Sequence, residues 1–248
     1  MLESRVRQIN FSATARSINN RWKAVSNHDH FILARIWVLW DPTLIHFETV
    51  DISKQVIHGK VTIYSSTFFV SFVYGLYKRS DRNILWRNLK HWATQFNQGP
   101  WLILGDFNVT RYHHEHSNKV PTSLAMRDFN DCLNDIEVED LQQTGILFSW
   151  NNNRTGRESI GKKLDRPLGN WHWFKMWGNS SADFQSPGVS DHTPICIHLS
   201  VQDSSRRPFK VLNFWSKHDE FLPLVRRLWR QESNDHLFFE CQLSTKIW

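Results

Sequence analysis

The sequence has few cysteines and no apolar run long enough to span a lipid bilayer. Its three cysteines, Cys132, Cys196 and Cys241, lie far apart without paired spacing, which argues against a disulfide-stapled scaffold. The first five residues do not have the pattern that opens a signal peptide. We therefore expect an intracellular protein that works in a reducing compartment and has no membrane partner.

Aromatic and basic residues are plentiful instead. The 248 residues include 13 tryptophans and 17 phenylalanines, most of which we expect in the core or at an interface. The length suits one large domain with a substantial core. The net charge of +6 is compatible with a polyanionic partner, but a modest basic excess is common in soluble proteins, so charge alone does not decide between them.

An apolar, strand-like run at 101–104 ends abruptly at Gly105-Asp106-Phe107-Asn108. Because side chains alternate along a strand, Asp106 and Asn108 can share one face while Phe107 turns into the core. A carboxylate and a carboxamide in this arrangement can hold a hard divalent cation and position a phosphate oxygen. A strand followed by an Asx turn explains the same residues, and this stretch by itself leaves both interpretations open.

A turn-rich loop at 186–194 carries Asp191 and His192 and leads into an apolar, strand-like stretch at 195–199. Adjacent Asp and His side chains point to different sides of the backbone and suit different tasks, such as orienting a base and meeting a phosphate. The alternative is a loop aspartate that caps its own backbone beside a surface histidine. Asp165 lies between these regions, among cationic residues, where a surface salt bridge is the competing interpretation.

The ordered set of Gly-Asp-Phe-Asn, Leu-Asp-Arg and Ser-Asp-His-Thr-Pro-Ile is more specific than any of its members. With these three motifs the chain resembles the endonuclease/exonuclease/phosphatase superfamily, which includes the DNase I-like nucleases. Within it, the chain is most similar to the endonuclease domains of plant LINE-type non-LTR retrotransposons, over roughly residues 1–200. The resemblance implies a four-layer α/β sandwich, two packed sheets with helices outside, whereas pattern alone supports only a mixture of α and β.

The resemblance also implies a metal site. Glu3, Asp106 and Asp191 match the acidic residues that surround one or two Mg²⁺ ions in this superfamily, with Mn²⁺ as an alternative metal. Asp106 would position or activate the attacking water. At position 3, Glu3 competes with the simpler interpretation of a disordered terminal acid.

Further roles follow from the same resemblance. Asn108 would help to orient the water and the metal, and Asp165 would lie near the phosphate and the leaving group. Asp191 would orient His192, which would contact the scissile phosphate and stabilise its developing charge. Tyr74 matches a tyrosine near the phosphate, with a solvent-facing tyrosine at a strand end as the alternative.

The implied activity is Mg²⁺-dependent cleavage of target-site DNA in the nucleus, with retroelement RNA as a second candidate partner. Relative to the family, the chain begins after the first strand and helix, so we expect impaired activity. The alternative is an inactive remnant that at most binds nucleic acid. Several basic residues could follow a phosphate backbone or form an ordinary solvated face: Arg154, Arg157, Lys162, Lys163 and Arg166.

The last fifth of the chain differs in character. Residues 201–230 are predicted to be a polar linker and an amphipathic segment, and residues 231–248 resemble the end of a reverse-transcriptase zinc-binding domain. His236 and Cys241 would be two zinc ligands there. Because a structural zinc site normally needs four ligands, we expect no zinc.

Hydrophobic spacing predicts a helix at 80–97 and a second one capped near Thr122-Ser123. We interpret His113 to His116 as a solvated loop and Trp171 to Phe174 as a core helix rather than a base-stacking platform. Predicted strands are at 31–40, 45–50, 54–64, 67–74, 101–105, 146–150, 182–185 and 194–200.

Overall fold

The computed structural model describes residues 2, 4–199, 215–216 and 219–229. The chain divides into two compact units, Met1–Val201 and Gln202–Trp248. In the second unit, the described part of the predicted amphipathic segment forms one helix, α5, at Phe221–Trp229. The zinc-ligand candidates His236 and Cys241, and the whole of 231–248, lie outside the described residues. Within the described part of the chain, no helix has the length and apolar character needed to cross a membrane.

The first unit is built around a six-stranded sheet with the order β3-β4-β5-β6-β11-β7. A three-stranded sheet has the order β13-β12-β8, and two further strand pairs are β1-β2 and β10-β9. The strands are β1 Lys23–Ser26, β2 Trp37–Trp40, β3 Ile45–Ile52, β4 Val56–Ile63, β5 Ser66–Tyr74, β6 Trp101–Asp106, β7 Val138–Asp140, β8 Gln142–Gly145, β9 Trp150–Asn151, β10 Gly161–Lys162, β11 Asp165–Asn170, β12 Ser181–Phe184 and β13 Ile195–His198.

Four helices accompany these sheets: α1 Gln8–Ile18, α2 Arg79–Phe96, α3 Leu124–Asp135 and α4 Trp171–Met176. The two helices predicted from apolar spacing are confirmed as α2 and α3. Ser123 caps α3, since its hydroxyl oxygen accepts a hydrogen bond from the backbone N–H of Met126 at 3.2 Å. The sequence pattern did not indicate α1, which is mostly exposed and buries only Ala15 fully.

Helices α2 and α3 cover one face of the large sheet, and the contact between them is largely aromatic. Trp86 of α2 stacks on Phe129 of α3, and both rings approach Phe107, which follows β6. On the opposite face, Phe68 of β5 contacts Trp173 of α4 edge to face. Trp173 and its neighbour Phe174 are buried, which confirms α4 as a core helix.

Strand β11 is an interior strand of the large sheet, between β6 and the edge strand β7, yet its sequence did not predict a strand. It contains Pro167 and Gly169, both of which disfavour central strands. The pairing explains how each is tolerated. Pro167 lies beyond the residues that pair with β7, which begin at Leu168, so no ladder bond to β7 is lost. A Cβ atom at Gly169 would lie 2.6 Å from the Trp173 ring, so glycine allows this close packing.

Candidate active site

Strand β6 ends in a turn that places Asp106 and Asn108 side by side. One carboxylate oxygen of Asp106 accepts the backbone N–H of Asn108 at 2.8 Å, and the other accepts its side-chain amide, also at 2.8 Å. The first bond is an Asx turn, which confirms that interpretation of the motif, and the metal site stays a prediction. Asn108 adopts a left-handed conformation with φ of 50°, which asparagine tolerates better than most residues.

Gly105 makes this turn possible. Its φ of 148° is rarely adopted by residues with side chains, and a Cβ atom here would overlap the carbonyl group of Val73 on β5. Two residues later, Phe107 is fully buried, and its backbone N–H donates to the carbonyl oxygen of Leu164 at 3.0 Å. The turn is therefore fixed against β5 on one side and against the start of β11 on the other.

Asp165 begins β11 and lies directly opposite Asp106 in the antiparallel pair β6–β11. Its carboxylate is buried rather than at the surface, so the surface salt bridge considered from the sequence is wrong. Ser149 holds the backbone here, because its hydroxyl oxygen accepts the N–H groups of Leu164 at 2.9 Å and Asp165 at 2.8 Å. Tyr74 ends β5 and pairs with Asp106 from the other side, with the guanidinium of Arg35 5.5 Å from its ring centre.

His192 is brought to this strand end by the loop that precedes β13. Its Nδ1 lies 2.8 Å from a carboxylate oxygen of Asp165. The prediction that Asp191 orients His192 is therefore wrong, because Asp165 makes that hydrogen bond. The carboxylate of Asp191 instead accepts the indole N–H of Trp150 at 3.0 Å. Adjacent side chains of a loop point in different directions, and this separates the partners of Asp191 and His192.

The charge on His192 follows from its surroundings. Burial lowers the pKa of this imidazole, but the hydrogen bond and the charge of Asp165, together with the charges of Asp106 and Asp191, outweigh that effect and raise the pKa to about 9. At neutral pH the ring is therefore an imidazolium. Since its Nδ1–H donates to Asp165, the second ring nitrogen, Nε2, is left for a substrate oxygen.

A cavity of about 670 Å³ opens beside these groups. Asp106, Asp165, Asp191 and His192 line one part of it. Apolar side chains form much of the remaining lining, among them Ile36, Trp37, Phe72, Leu104, Ile195 and Ile197. The cavity is large enough for part of a nucleotide, with the charged groups gathered at one place.

Glu3, the third acidic residue predicted to bind metal, lies outside the described residues. Its described neighbours Leu2 and Arg5 line the cavity. Among the described residues, no group of three or more His, Cys, Asp or Glu side chains is arranged to hold a metal ion. Asp106 and Asp191 nevertheless offer the oxygen donors that suit Mg²⁺, which commonly uses one or two carboxylates together with water and substrate phosphate.

The sequence did not reveal two residues that build the site. Ser149 links β11 to the His192 loop, because its carbonyl oxygen also accepts the N–H of Thr193 at 2.8 Å. Trp150 binds the carboxylate of Asp191, and the backbone N–H of Asn151 donates to the Asp191 carbonyl oxygen at 2.9 Å. The aromatic and polar run at 148–153 was a visible signal, but nothing in it indicated these partners.

The basic residues divide into two groups. Lys163 and Arg166 are buried in ion pairs, so for these two residues both alternatives, a path for a phosphate backbone and a solvated face, are wrong. Arg157 is exposed in the loop between β9 and β10, and Arg154 is exposed and pairs with Glu158. Lys162 lies with its ammonium 5.1 Å from the ring centre of Trp150. Lys162, which is partly buried, is therefore linked to the site through Trp150, the partner of Asp191.

Comparison with known proteins rests on structure. No protein-family model matches the chain, and no curated protein matches it significantly in sequence. The endonuclease domain of TRAS1, a telomere-specific non-LTR retrotransposon, superposes with a TM-score of 0.61 at 10% identity, over 79% of this chain and 92% of that domain. An endonuclease/exonuclease/phosphatase protein from Bacteroides vulgatus gives a TM-score of 0.51 at 13% identity, over 80% and 83% of the two chains.

The chain has the endonuclease/exonuclease/phosphatase fold. Sphingomyelinase C from Streptomyces griseocarneus shares it, with a TM-score of 0.53 at 11% identity over 80% of this chain and 81% of that one. The predicted DNase I-like α/β class is confirmed. At these identities the likeness establishes the fold and leaves the reaction open, since one fold hosts several phosphoester chemistries.

Proposed function

We propose that this protein is a Mg²⁺-dependent phosphodiesterase that nicks DNA. The observation that carries the proposal is the hydrogen bond between Asp165 and His192, in a cavity that is also lined by Asp106, whose carboxylate Asn108 holds. A cation, a positioned carboxylate and an amide at one strand end suit a reaction in which a phosphate gains negative charge. The fold shared with a retrotransposon endonuclease domain supports the same chemistry.

In this proposal each residue has its own role in hydrolysis. His192, held by Asp165, donates from Nε2 to a non-bridging oxygen of the scissile phosphate and stabilises its developing charge. Asp106 accepts a hydrogen bond from the attacking water and orients it, and the amide of Asn108 fixes the Asp106 carboxylate. Tyr74, beside Asp106 in the sheet, is proposed to lie near the phosphate.

Asp106 and Asp191, together with Glu3, are the residues proposed to hold the metal. A bound Mg²⁺ supplies positive charge near the phosphate, and Mn²⁺ is the expected substitute. Asp191 has a fixed orientation through Trp150 and Asn151, which favours binding without rearrangement of the loop.

The proposed substrate is DNA, with retroelement RNA as a second partner and the nucleus as the place of action. The net charge of +6 and the exposed arginines of the β9–β10 loop favour a polyanion. The fold shared with a sphingomyelinase makes a phospholipid headgroup the competing substrate. Sphingomyelin hydrolysis measured beside plasmid nicking separates the two.

Supercoiled plasmid incubated with the purified protein and Mg²⁺ tests the proposal. We expect conversion to open circles that stops with EDTA and in Asp106→Ala and His192→Ala. Asp131→Asn, an exposed change on α3, is the matched control and should nick normally. Absence of nicking by the folded wild-type protein, with retained salt-dependent DNA binding, would instead support the inactive remnant.

A further inference from the structure

Six charged side chains are gathered below the candidate active site, and we call them the buried ion cluster. They come from the segment after Asn108, from β7 and from the residues that lead into β11 and begin it: Arg111, Glu115, Glu139, Asp140, Lys163 and Arg166. Glu115 belongs to the run of histidines interpreted from sequence as a solvated loop. That interpretation is wrong for Glu115, which is buried.

The contacts within the cluster are dense. Arg166, with none of its side chain exposed, donates to Glu115 and to Asp140, the latter at 2.7 Å. Arg111 donates to Glu139 and to the second oxygen of Asp140 at 2.8 Å. Burial would raise the pKa of Asp140, but Arg166, Lys163 and Arg111 hold it well below its usual range, so Asp140 is ionised.

Three cations and three anions balance in this cluster, yet burying them is not an efficient source of stability. Well-packed apolar side chains often stabilise a fold as well as or better than a buried ion network. Directed ion pairs differ from apolar contacts because they fix the angle as well as the distance between two elements. The role of the cluster therefore depends on which elements its ion pairs hold in place.

Members of the cluster lie on both sides of Asp165 along the chain. Arg166 is the next residue, and the N–H of Lys163, two residues before, donates to the carbonyl oxygen of Glu115 at 2.9 Å. Between them, Leu164 accepts the N–H of Phe107 from the Asp106 turn. The carboxylate that holds His192 thus emerges from a segment anchored on both sides by Glu115 and Arg166.

We propose that Arg166 and Glu115 are positioning residues that set the direction of Asp165, and through it of His192. This inference rests on the proposed function for its effect on turnover. Its structural content, the geometry of the Asp165–His192 hydrogen bond, does not depend on that function.

Two variants, a partial rescue and a control test whether Arg166 and Glu115 position Asp165. Arg166→Met removes the fork of donors, and Glu115→Gln keeps the size of the side chain but removes its charge, which guards against a failure to fold. Arg166→Lys should restore charge without the fork. The matched control is Arg79→Met, which breaks the partly exposed Arg79–Asp128 pair between α2 and α3.

The first readout is the downfield proton resonance of the His192 Nδ1–H, assigned by its loss in His192→Gln and Asp165→Asn. We expect this resonance to weaken or shift in Arg166→Met and Glu115→Gln and to stay unchanged in Arg79→Met. An unchanged resonance in both cluster variants, whatever their thermal stability, would overturn the proposal. This readout decides the question even if the wild-type protein hydrolyses no substrate.

The second readout is steady-state cleavage. We expect kcat to fall by about tenfold to a hundredfold in Arg166→Met with KM little changed, as for other residues that orient a reacting group. Arg166→Lys should recover only part of this loss. A lower melting temperature with unaltered kcat would show that the cluster serves stability alone and would likewise overturn the proposal.

Discussion

A histidine at pH 7 is usually neutral, and His192 differs because of its three acidic neighbours. Asp165 contributes both a hydrogen bond and a charge, whereas Asp106 and Asp191 contribute charge. Since a phosphate group is itself an anion, an imidazolium at this place attracts the substrate before it stabilises the reaction. Without the imidazolium, the three carboxylates would repel the phosphate group of the substrate.

The pH dependence of cleavage tests this at the scale of one residue. The folded-state pKa of His192 is raised to about 9 from 6.5, so the imidazolium is present below pH 9 and is lost as pH rises through 9. We expect kcat to fall along that limb. In Asp165→Asn the limb should move to lower pH, because the carboxylate that favours the charged ring is gone. A limb at the same pH in both proteins would show that another group is titrating.

Gly105 is a position where the close approach of a neighbouring strand leaves no room for a side chain. A methyl group there meets the Val73 carbonyl, and both the φ of 148° and the overlap oppose it. We expect Gly105→Ala to lower the free energy of unfolding by about 2 kcal/mol or more, measured by urea denaturation. Gly188→Ala is the control, since nothing lies within 4 Å of its added carbon. Equal effects of the two changes would contradict this explanation.

A buried series of polar hydrogen bonds joins β4, β5, β6 and α2. The indole of Trp101 donates to the Ser71 hydroxyl at 2.9 Å, and His58 lies 2.7 Å from both Ser71 and Asn88. These partners are satisfied by a neutral ring that accepts from Ser71 and donates to Asn88. Burial lowers the pKa of His58 to about 4, and the hydrogen bond to the Asn88 side-chain oxygen opposes this effect.

These hydrogen bonds around His58 predict that the protein becomes less stable in acid. Because the folded-state pKa of His58 is below 6.5, its contribution to stability is present above pH 6.5 and is lost as pH falls towards 4. The expected loss is about 3 kcal/mol. The free energy of unfolding should therefore change less with pH in His58→Gln than in the wild type. His46→Gln, at an exposed position on β3, is the control and should leave the pH dependence intact.

Individual elements differ in how well the sequence predicted them. Helix α3 carried both an apolar repeat and a capping serine, so its start was found to within a residue. Strand β11 carried neither the alternation nor the composition of a strand, because Pro167 and Gly169 are tolerated only through neighbours distant in sequence. A local sequence pattern cannot show which residues distant in sequence will pack against a strand in the folded protein.

At the scale of the whole molecule, the excess of positive charge should show itself in salt dependence. Each phosphate neutralised by a basic side chain contributes a slope of about −0.9 in log affinity against log salt. Arg157 is exposed in the loop between β9 and β10, so Arg157→Gln should reduce the slope for DNA binding by about one. Lys60→Gln, exposed on β4, should leave it unchanged. A uniform response of both variants would indicate diffuse attraction without a defined path.

The sequence by itself determined the candidate site residues of this protein and, through the resemblance that its motifs carry, the class of its fold. Gly105 to Asn108 indicated a turn after a buried strand, and the resemblance that three separate motifs carry together implied one architecture. Only the tertiary structure decided the pairing. It joined His192 to Asp165 rather than to its neighbour Asp191, and it buried Arg166 and Glu115 beneath them. Partners that meet through sheet register and loop packing are set by contacts distant in sequence.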